Sequence, residues 1–196
     1  MTADNQQDTA GANSGAIDRR AMEAGAMVQG LRLDPGPIDI RALAVAAATK
    51  AGRYVPGVST TEEAVDACVI VEGLTEKILE LKIDDGGDTK LGSTIEYRVV
   101  VLDRDGNEIG TSSSNAVVLG MTPHMWQFHR SGAELADGAY ESSGVVNATA
   151  MLRGMTQVLH VVGKSGKFED KAGYLTIVMS DPTQRPPHYT TSLVVC

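Results

Sequence analysis

The chain has 196 residues, of which 42% are hydrophobic and only 4% aromatic, and its formal net charge is −8. This length can bury one sizeable core and still leave an extension. The acidic balance argues against a general nucleic-acid role, and the longest apolar stretch, residues 42–48, is far too short to span a membrane. We therefore expect neither a nucleic acid nor a membrane as partner.

The chain begins with a segment that predicts a tail and then a weak helix. Residues 1–15 are polar and rich in Gly, Ser, Asn and Gln, which predicts a disordered tail and does not fit a signal peptide. Residues 17–31 place apolar side chains at helical spacing, but two internal glycines weaken this helix. Such a helix needs something to pack on.

Two further helices are expected before the β-rich part of the chain. Pro37 suits a helical first turn, and the Ala-rich residues 38–51 follow it. Thr60 and Glu63 have the spacing of a capping box, which predicts the start of a third helix. This helix runs towards residues 68–71, a segment that could equally be a strand.

From residue 73 onwards the chain predicts a β-barrel. Short β-rich runs follow one another between Gly, Asp and Pro signals, and no helical period intervenes. The runs are residues 75–83, 94–102, 109–119, 125–131, 139–149, 156–162, 174–180 and 189–195. We predict a mainly β fold: a closed antiparallel eight-stranded barrel over residues 73–196, after a helical extension over 16–72 and the tail over 1–15.

The number of cysteines is an indication of the cellular compartment in which the protein works. The chain contains two cysteines, Cys68 and Cys196. A secreted scaffold that depends on disulfides usually carries more. The sequence therefore predicts reduced thiols and a cytoplasmic location.

The chain lacks a convincing metal, nucleophile or phosphate motif. Residues 103–107 resemble a calcium loop, but the glycine comes two positions early, and a hairpin turn explains the Asp-Gly pair more simply. Residues 163–165 lack the earlier glycine of a phosphate loop. His124 and His129 are five residues apart, which places them on opposite faces of a strand. We expect no metal and no cofactor, and each histidine to be exposed or hydrogen-bonded rather than catalytic.

Strand alternation gives candidate residues for the barrel interior. Trp126 and Phe128 share one face, which we expect to point inwards, while Gln127 and His129 share the other. Tyr97 shares its face with three apolar residues and should also point inwards. Plain core packing explains these faces as well as a cavity does, although a barrel of this size can hold one small ligand if it is not filled.

The next strand leaves its orientation open. One face carries Thr111, Ser113, Asn115 and Val117, which mix apolar and hydrogen-bonding groups as a ligand cavity does. The other face, with Ser112, Ser114 and Ala116, could be the inward set instead. Small side chains leave room whichever face points inwards.

Two turn signatures carry a family resemblance. Residues 103–113 read Asp-x-x-Gly-x-x-Ile-Gly-Thr-Ser-Ser, and residues 166–174 read Gly-Lys-Phe-x-x-x-x-Gly-Tyr. This pattern resembles the allene oxide cyclase and dirigent barrel superfamily over residues 75–180, and within it the bacterial spirotetronate and spirotetramate cyclases. These are cofactor-free barrels that close a polyketide chain by an intramolecular [4+2] cycloaddition.

The resemblance implies a Diels–Alder-type cyclase of antibiotic biosynthesis with a small polyketide-type substrate. A hydrogen bond from Asn115, Ser113 or Tyr97 to a ring carbonyl would activate the alkene. The predicted substrate contacts are Thr111, Trp126, Phe128, Met179, Met22 and Met27. One branch of the family has an N-terminal helical segment over the barrel mouth, and helix 17–31 would be this lid.

Several alternatives stay open at this stage. The helix over residues 17–31 could pack permanently against the outside of the barrel. The barrel could bind a lipophilic small molecule without catalysis, or act as an allene oxide cyclase-like or dirigent-like enzyme. A homodimer agrees with the family, but no stripe of residues in the sequence is diagnostic of one.

Overall fold

A computed structural model describes residues 38–84, 88–181 and 186–196. The predicted tail and the predicted lid helix lie outside the described residues, and so do Met22 and Met27. Of the described helices, none is both long and apolar enough to cross a membrane.

Eight antiparallel strands form a closed barrel, in which each strand pairs with its neighbours in sequence and β1 also pairs with β8. The strands are β1 Val69–Ile83, β2 Thr94–Leu102, β3 Glu108–Gly120, β4 Trp126–Leu135, β5 Gly138–Asn147, β6 Gln157–Gly163, β7 Ala172–Asp181 and β8 His188–Val195. The predicted mainly β fold and its eight strands are confirmed. The barrel begins at Val69 rather than at residue 73, because residues 69–71 pair with β8 as a strand.

Two helices precede the barrel, α1 Ile40–Lys50 and α2 Thr61–Asp66, and a short α3, Ala148–Met151, follows β5. The capping box is confirmed: the Thr60 hydroxyl accepts from the Glu63 amide, and the Glu63 carboxylate accepts from the Thr60 amide. The Ala-rich face of α1 packs on the outer side of β8 beside Val194. This contact anchors the helical extension outside the barrel.

The prediction of reduced thiols was wrong, because Cys68 and Cys196 form a disulfide. The two residues flank Val69 and Val195, which face each other where β1 pairs with β8. Closure of the barrel therefore brings together cysteines that are 128 residues apart in sequence. The cytoplasmic location rested partly on free thiols and now stays a prediction without that support.

The barrel has two different ends. The turns after β2, β4 and β6 lie at one end, which we call the hairpin end, and the connections after β1, β3, β5 and β7 lie at the other, the loop end. Phe168, in the turn after β6, is fully buried and meets the Tyr140 ring edge-on at 5.7 Å between centroids. A Cβ at Gly163 would lie only 1.7 Å from the Phe168 carbonyl oxygen, so this close packing requires glycine.

Candidate functional site

The inward face of β2 is the one that the sequence predicts. Val99 and Val101 are fully buried, so Tyr97, two residues before Val99, also points into the barrel. Met179 on β7 is buried and packs in the main core. The orientation expected for Tyr97 therefore agrees with the structure, and the substrate contacts of both residues stay predictions.

The register of β3 settles its open orientation. Ser112 pairs with Val99 and Ser114 with Tyr97, and paired residues lie on the same side of a sheet. Ser112 is buried, whereas Thr111, Ser113 and Asn115 are exposed. These three candidates therefore lie on the outer surface of the barrel, away from any ligand inside it. Both faces of this strand carry small polar residues, so alternation in the sequence could not distinguish the inward face from the outward face.

The inward face predicted for β4 was wrong. His129 pairs with the inward Ala116 and Gln127 with Val118, and both polar side chains are buried. Phe128 consequently faces outwards and is 41% exposed, and Trp126 shares its outer face but is buried at the start of the strand. The polar side chains occupy the interior because they hydrogen-bond to one another there.

A hydrogen-bonded chain links β2 to β4 inside the barrel. The Tyr97 hydroxyl lies 3.0 Å from His129 Nδ1, and His129 Nε2 lies 2.9 Å from Gln127 Oε1. Burial lowers the pKa of His129 to about 4, so the ring is neutral at pH 7. With Gln127 Oε1 as acceptor, Nε2 carries the proton and Nδ1 accepts from Tyr97.

The sequence analysis missed Glu76. This residue pairs with the inward Val101 on β2 and with Tyr189 on β8, and it is 6% exposed. Burial raises the pKa of Glu76 to about 7, and the neighbouring Thr191 side chain opposes part of the rise. Within the described part of the chain, no cationic side chain forms an ion pair with it. Alternation in the sequence groups Glu76 with Glu80 and Lys82 as one charged face, and only the bulge between Ile78 and Glu80 separates them.

The charge of this carboxyl affects three tyrosines, of which Tyr189 pairs with Glu76 across β1 and β8. Burial raises the pKa of Tyr97, Tyr140 and Tyr189 above the ordinary tyrosine value, and the negative charge of Glu76 adds to the rise in each case. All three hydroxyls therefore stay protonated at neutral pH and can donate hydrogen bonds. The interior thus offers neutral donors beside one titratable carboxyl.

The interior has two sides of different character. We call the inward polar residues of β2 to β4 the polar side: Tyr97, Ser112, Ser114, Gln127, His129 and Ser131, which lie among the buried Val99, Val101, Ala116 and Val118. We call the inward apolar residues of β6 to β8 the apolar side: Leu159, Val161, Leu175, Ile177, Met179 and Leu193, which lie beside the buried Gln157 and Thr191. Glu76 on β1 lies between the two sides, because β1 pairs with both β2 and β8.

Two recesses formed by described residues lie on the outer surface. The larger, about 440 Å³, crosses β1 to β5 and includes Ser113 and Asn115 among charged side chains. The smaller, about 350 Å³, includes Phe128 and Val162. Over the described ranges, no group of three or more His, Cys, Asp or Glu residues is placed to hold a metal ion. The predicted interior cavity therefore stays a prediction.

Comparison with known proteins places this barrel among characterised folds. Residues 75–189 match the model of the allene oxide cyclase barrel like domain. The fold is similar to that of the exo-specific intermolecular Diels–Alderase AbnU, with 16% identity, a TM-score of 0.58 and coverage of 65% of this chain and 96% of AbnU. It is also similar to the Diels–Alderase AbmU from Streptomyces koyangensis, with 21% identity, a TM-score of 0.60 and coverage of 84% and 78%.

A third solved structure is that of a nonspecific haem-binding cyclase that catalyses [4+2] cycloaddition during neoabyssomicin biosynthesis. It shares 20% identity with this chain at a TM-score of 0.58, covering 100% of this chain and 80% of its own. At these identities the three likenesses concern the fold.

Proposed function

The chain belongs to the allene oxide cyclase-like barrel family, and from that membership we propose that it is a cyclase acting on a small molecule inside its barrel. The reaction is an intramolecular [4+2] cycloaddition that forms a spiro-tetramate or spiro-tetronate ring on a linear polyketide-type chain. The turn signatures resemble those of the bacterial spirotetronate and spirotetramate cyclases, and the long N-terminal extension resembles that of the spirotetramate-forming cyclase of pyrroindomycin biosynthesis. Three proteins with the same fold are cyclases of the [4+2] type, which supports this choice.

The observation that carries the proposal is the hydrogen-bonded chain on the polar side. Among the described residues, Gln127 Nε2 donates only to the Met125 sulfur, at 3.5 Å, which is a weak acceptor. This NH2 group can therefore donate to a substrate carbonyl while Oε1 keeps its hydrogen bond with His129. A second donor is the Tyr97 hydroxyl, once it leaves His129 Nδ1. A hydrogen bond to the ring carbonyl makes the alkene more electrophilic and contributes about 1–3 kcal/mol in a dry site.

Orientation supplies the larger part of the rate. A long flexible chain rarely brings its two reacting ends together in solution, and holding them in place can remove up to roughly 7–11 kcal/mol of the barrier. Small side chains on β3 and β4, such as Ser114 and Ala116, leave more room for a folded chain than large ones would. The apolar side then offers a surface for the hydrocarbon part.

Incubation with a linear polyene tetramate tests the proposal. We expect a product of the same mass with a new ring, formed faster than in buffer and as one stereoisomer, as measured by chromatography, mass spectrometry and NMR. Binding of the tetramate without turnover, as measured by equilibrium dialysis, would indicate a carrier for lipophilic molecules instead. Formation of the ring at the buffer rate would refute the cyclase.

The lid is part of the same proposal and comes from the sequence. Apolar side chains are exposed at the loop end of the barrel: Leu81 is 53% exposed, Leu91 42% and Met121 41%. Such side chains are suitable partners for an amphipathic segment that covers the mouth. Removal of residues 1–31 should leave unfolding cooperative but slow the cyclisation. Unchanged turnover in the truncated protein would eliminate the lid.

A further inference from the structure

Glu76 has no task in a cycloaddition, because that reaction transfers no proton. Its carboxyl nevertheless points into the barrel, and no described lysine, arginine or histidine pairs with it. An unpaired carboxyl in an apolar interior lowers the stability of the folded protein. A residue that lowers stability in this way at an enclosed site is a candidate for chemistry.

We propose that Glu76 gives the barrel a second activity: it moves a proton on the carbon next to a carbonyl group, in a substrate that can enolise. The inference stands on Glu76 and its neighbours and does not depend on the cycloaddition. Tyr189 pairs with Glu76 on the neighbouring strand β8, and the Thr191 side chain on the same strand interacts with the carboxyl. Tyr97 on β2 and Tyr140 on β5 are near enough to be affected by the charge of Glu76, and His129 on β4 hydrogen-bonds to Tyr97.

The step balances without a further reactant. The Glu76 carboxylate accepts the proton of the carbon next to the carbonyl, and the electron pair of that C–H bond moves onto the carbonyl oxygen as an enolate. A tyrosine hydroxyl, which stays protonated here, donates a hydrogen bond to that oxygen. The protonated Glu76 then returns the proton to the same carbon, or to the far carbon of a conjugated enolate, and the product is an isomer of the substrate.

The combination of groups suits this task. A base for enolisation is most effective when its pKa lies near the working pH, and burial brings the pKa of Glu76 to about 7. A carboxylate base next to a neutral tyrosine donor is a known solution for moving a proton beside a ketone. Tyr189, which pairs with Glu76 across β1 and β8, is such a donor, and His129 is neutral and so adds no positive charge that would lower the basicity of Glu76.

The test uses cyclohex-3-en-1-one, whose isomerisation to the conjugated enone is followed by ultraviolet absorbance. We expect the full-length protein to accelerate it, with a rate that rises with pH to a plateau and has its midpoint near pH 7. Glu76→Gln should lose about a hundredfold or more of this acceleration, and Glu76→Asp should retain part of it. Glu80→Gln is the matched control, since Glu80 lies on the same strand, exposed and paired with Arg98.

The results separate this inference from the proposed cyclase. Glu76→Gln should keep the ring-forming activity on the polyene tetramate while it loses the isomerisation. A wild-type protein no faster than buffer, or a Glu76→Gln variant as active as the wild type, would overturn the inference whatever the cyclisation assay shows. With substrate deuterated on the carbon between the carbonyl group and the alkene, NMR should also show deuterium carried to the far carbon of the product only when Glu76 is present.

Discussion

The polar side and the apolar side of the barrel interior perform different physical tasks. Leu159, Leu175 and Leu193 on the apolar side are buried among one another and supply much of the burial that stabilises the barrel. Tyr97, Gln127 and His129 on the polar side are held by hydrogen bonds that only compensate for their loss of water. The comparison teaches that much of the apolar burial and the proposed cyclisation lie on opposite sides of the interior, so variants should separate their effects.

The largest expected effect is a loss of stability when the main hydrophobic core, which includes the apolar side, is disrupted. Phe168→Ala removes a fully buried ring that packs with Tyr140, and we expect a loss of about 3–5 kcal/mol in the free energy of unfolding. Phe128→Ala is the control, because this ring is 41% exposed on the outer face. Denaturant unfolding of both variants measures the difference. Equal losses would contradict the assignment of inner and outer faces.

The second largest expected effect on stability concerns the disulfide at the pairing of β1 with β8. Reduction of the Cys68–Cys196 disulfide opens a loop of 128 residues in the unfolded chain, and we expect about 2–5 kcal/mol of lost stability. Unfolding with and without dithiothreitol measures it, and the Cys68→Ser/Cys196→Ser double variant should be insensitive to the reagent. Identical unfolding curves with and without dithiothreitol would show that the disulfide does not contribute to stability.

The pH dependence of stability distinguishes Glu76 from His129. The raised pKa of Glu76 gives a contribution that is full below pH 4.5 and is lost as the pH rises to about 7, up to about 3 kcal/mol. The lowered pKa of His129 acts in the opposite sense: its contribution is full above pH 6.5 and is lost as the pH falls towards 4. Between pH 4.5 and 6.5, the two contributions therefore change the free energy of unfolding of the wild type in opposite directions.

Glu76→Gln removes the contribution of Glu76 to the pH dependence of stability and leaves that of His129. Its free energy of unfolding should therefore rise steadily from pH 4.5 to 6.5, and relative to the wild type the variant should gain stability as the pH is raised to 8. Urea unfolding at several pH values gives both profiles. Parallel profiles for the two proteins would mean that Glu76 titrates normally.

The sequence predicted most of the fold because its signals are local. Alternating runs between turn residues indicate strands wherever they occur, and the Thr60–Glu63 capping box needs only four consecutive residues. The Asp103 turn is of the same kind, since its carboxylate accepts from the Asp105 and Asn107 amides directly between β2 and β3.

The interior could not be predicted in the same way, because its contacts join distant strands. His129 points inwards since Tyr97, 32 residues earlier, supplies a partner for its ring. Alternation alone favoured the aromatic face of β4 and therefore chose Phe128. The disulfide depends on closure of the whole barrel, and Glu76 is a single residue with no motif around it. Each of these features becomes visible only once the register of the strands is known.

The smallest expected effect compares a donor inside the barrel with candidates outside it. Tyr97→Phe keeps the ring but removes the hydroxyl, and we expect cyclisation to slow about tenfold, equivalent to about 1–2 kcal/mol of transition-state stabilisation. Ser113 and Asn115 lie on the outer face of the adjacent strand β3. The Ser113→Ala and Asn115→Ala variants should therefore cyclise the substrate at the wild-type rate. Steady-state kinetics on the polyene tetramate measures all three. A slow Asn115→Ala with a normal Tyr97→Phe would move the reaction from the polar side to the outer recess, because only there does Asn115 meet a ligand.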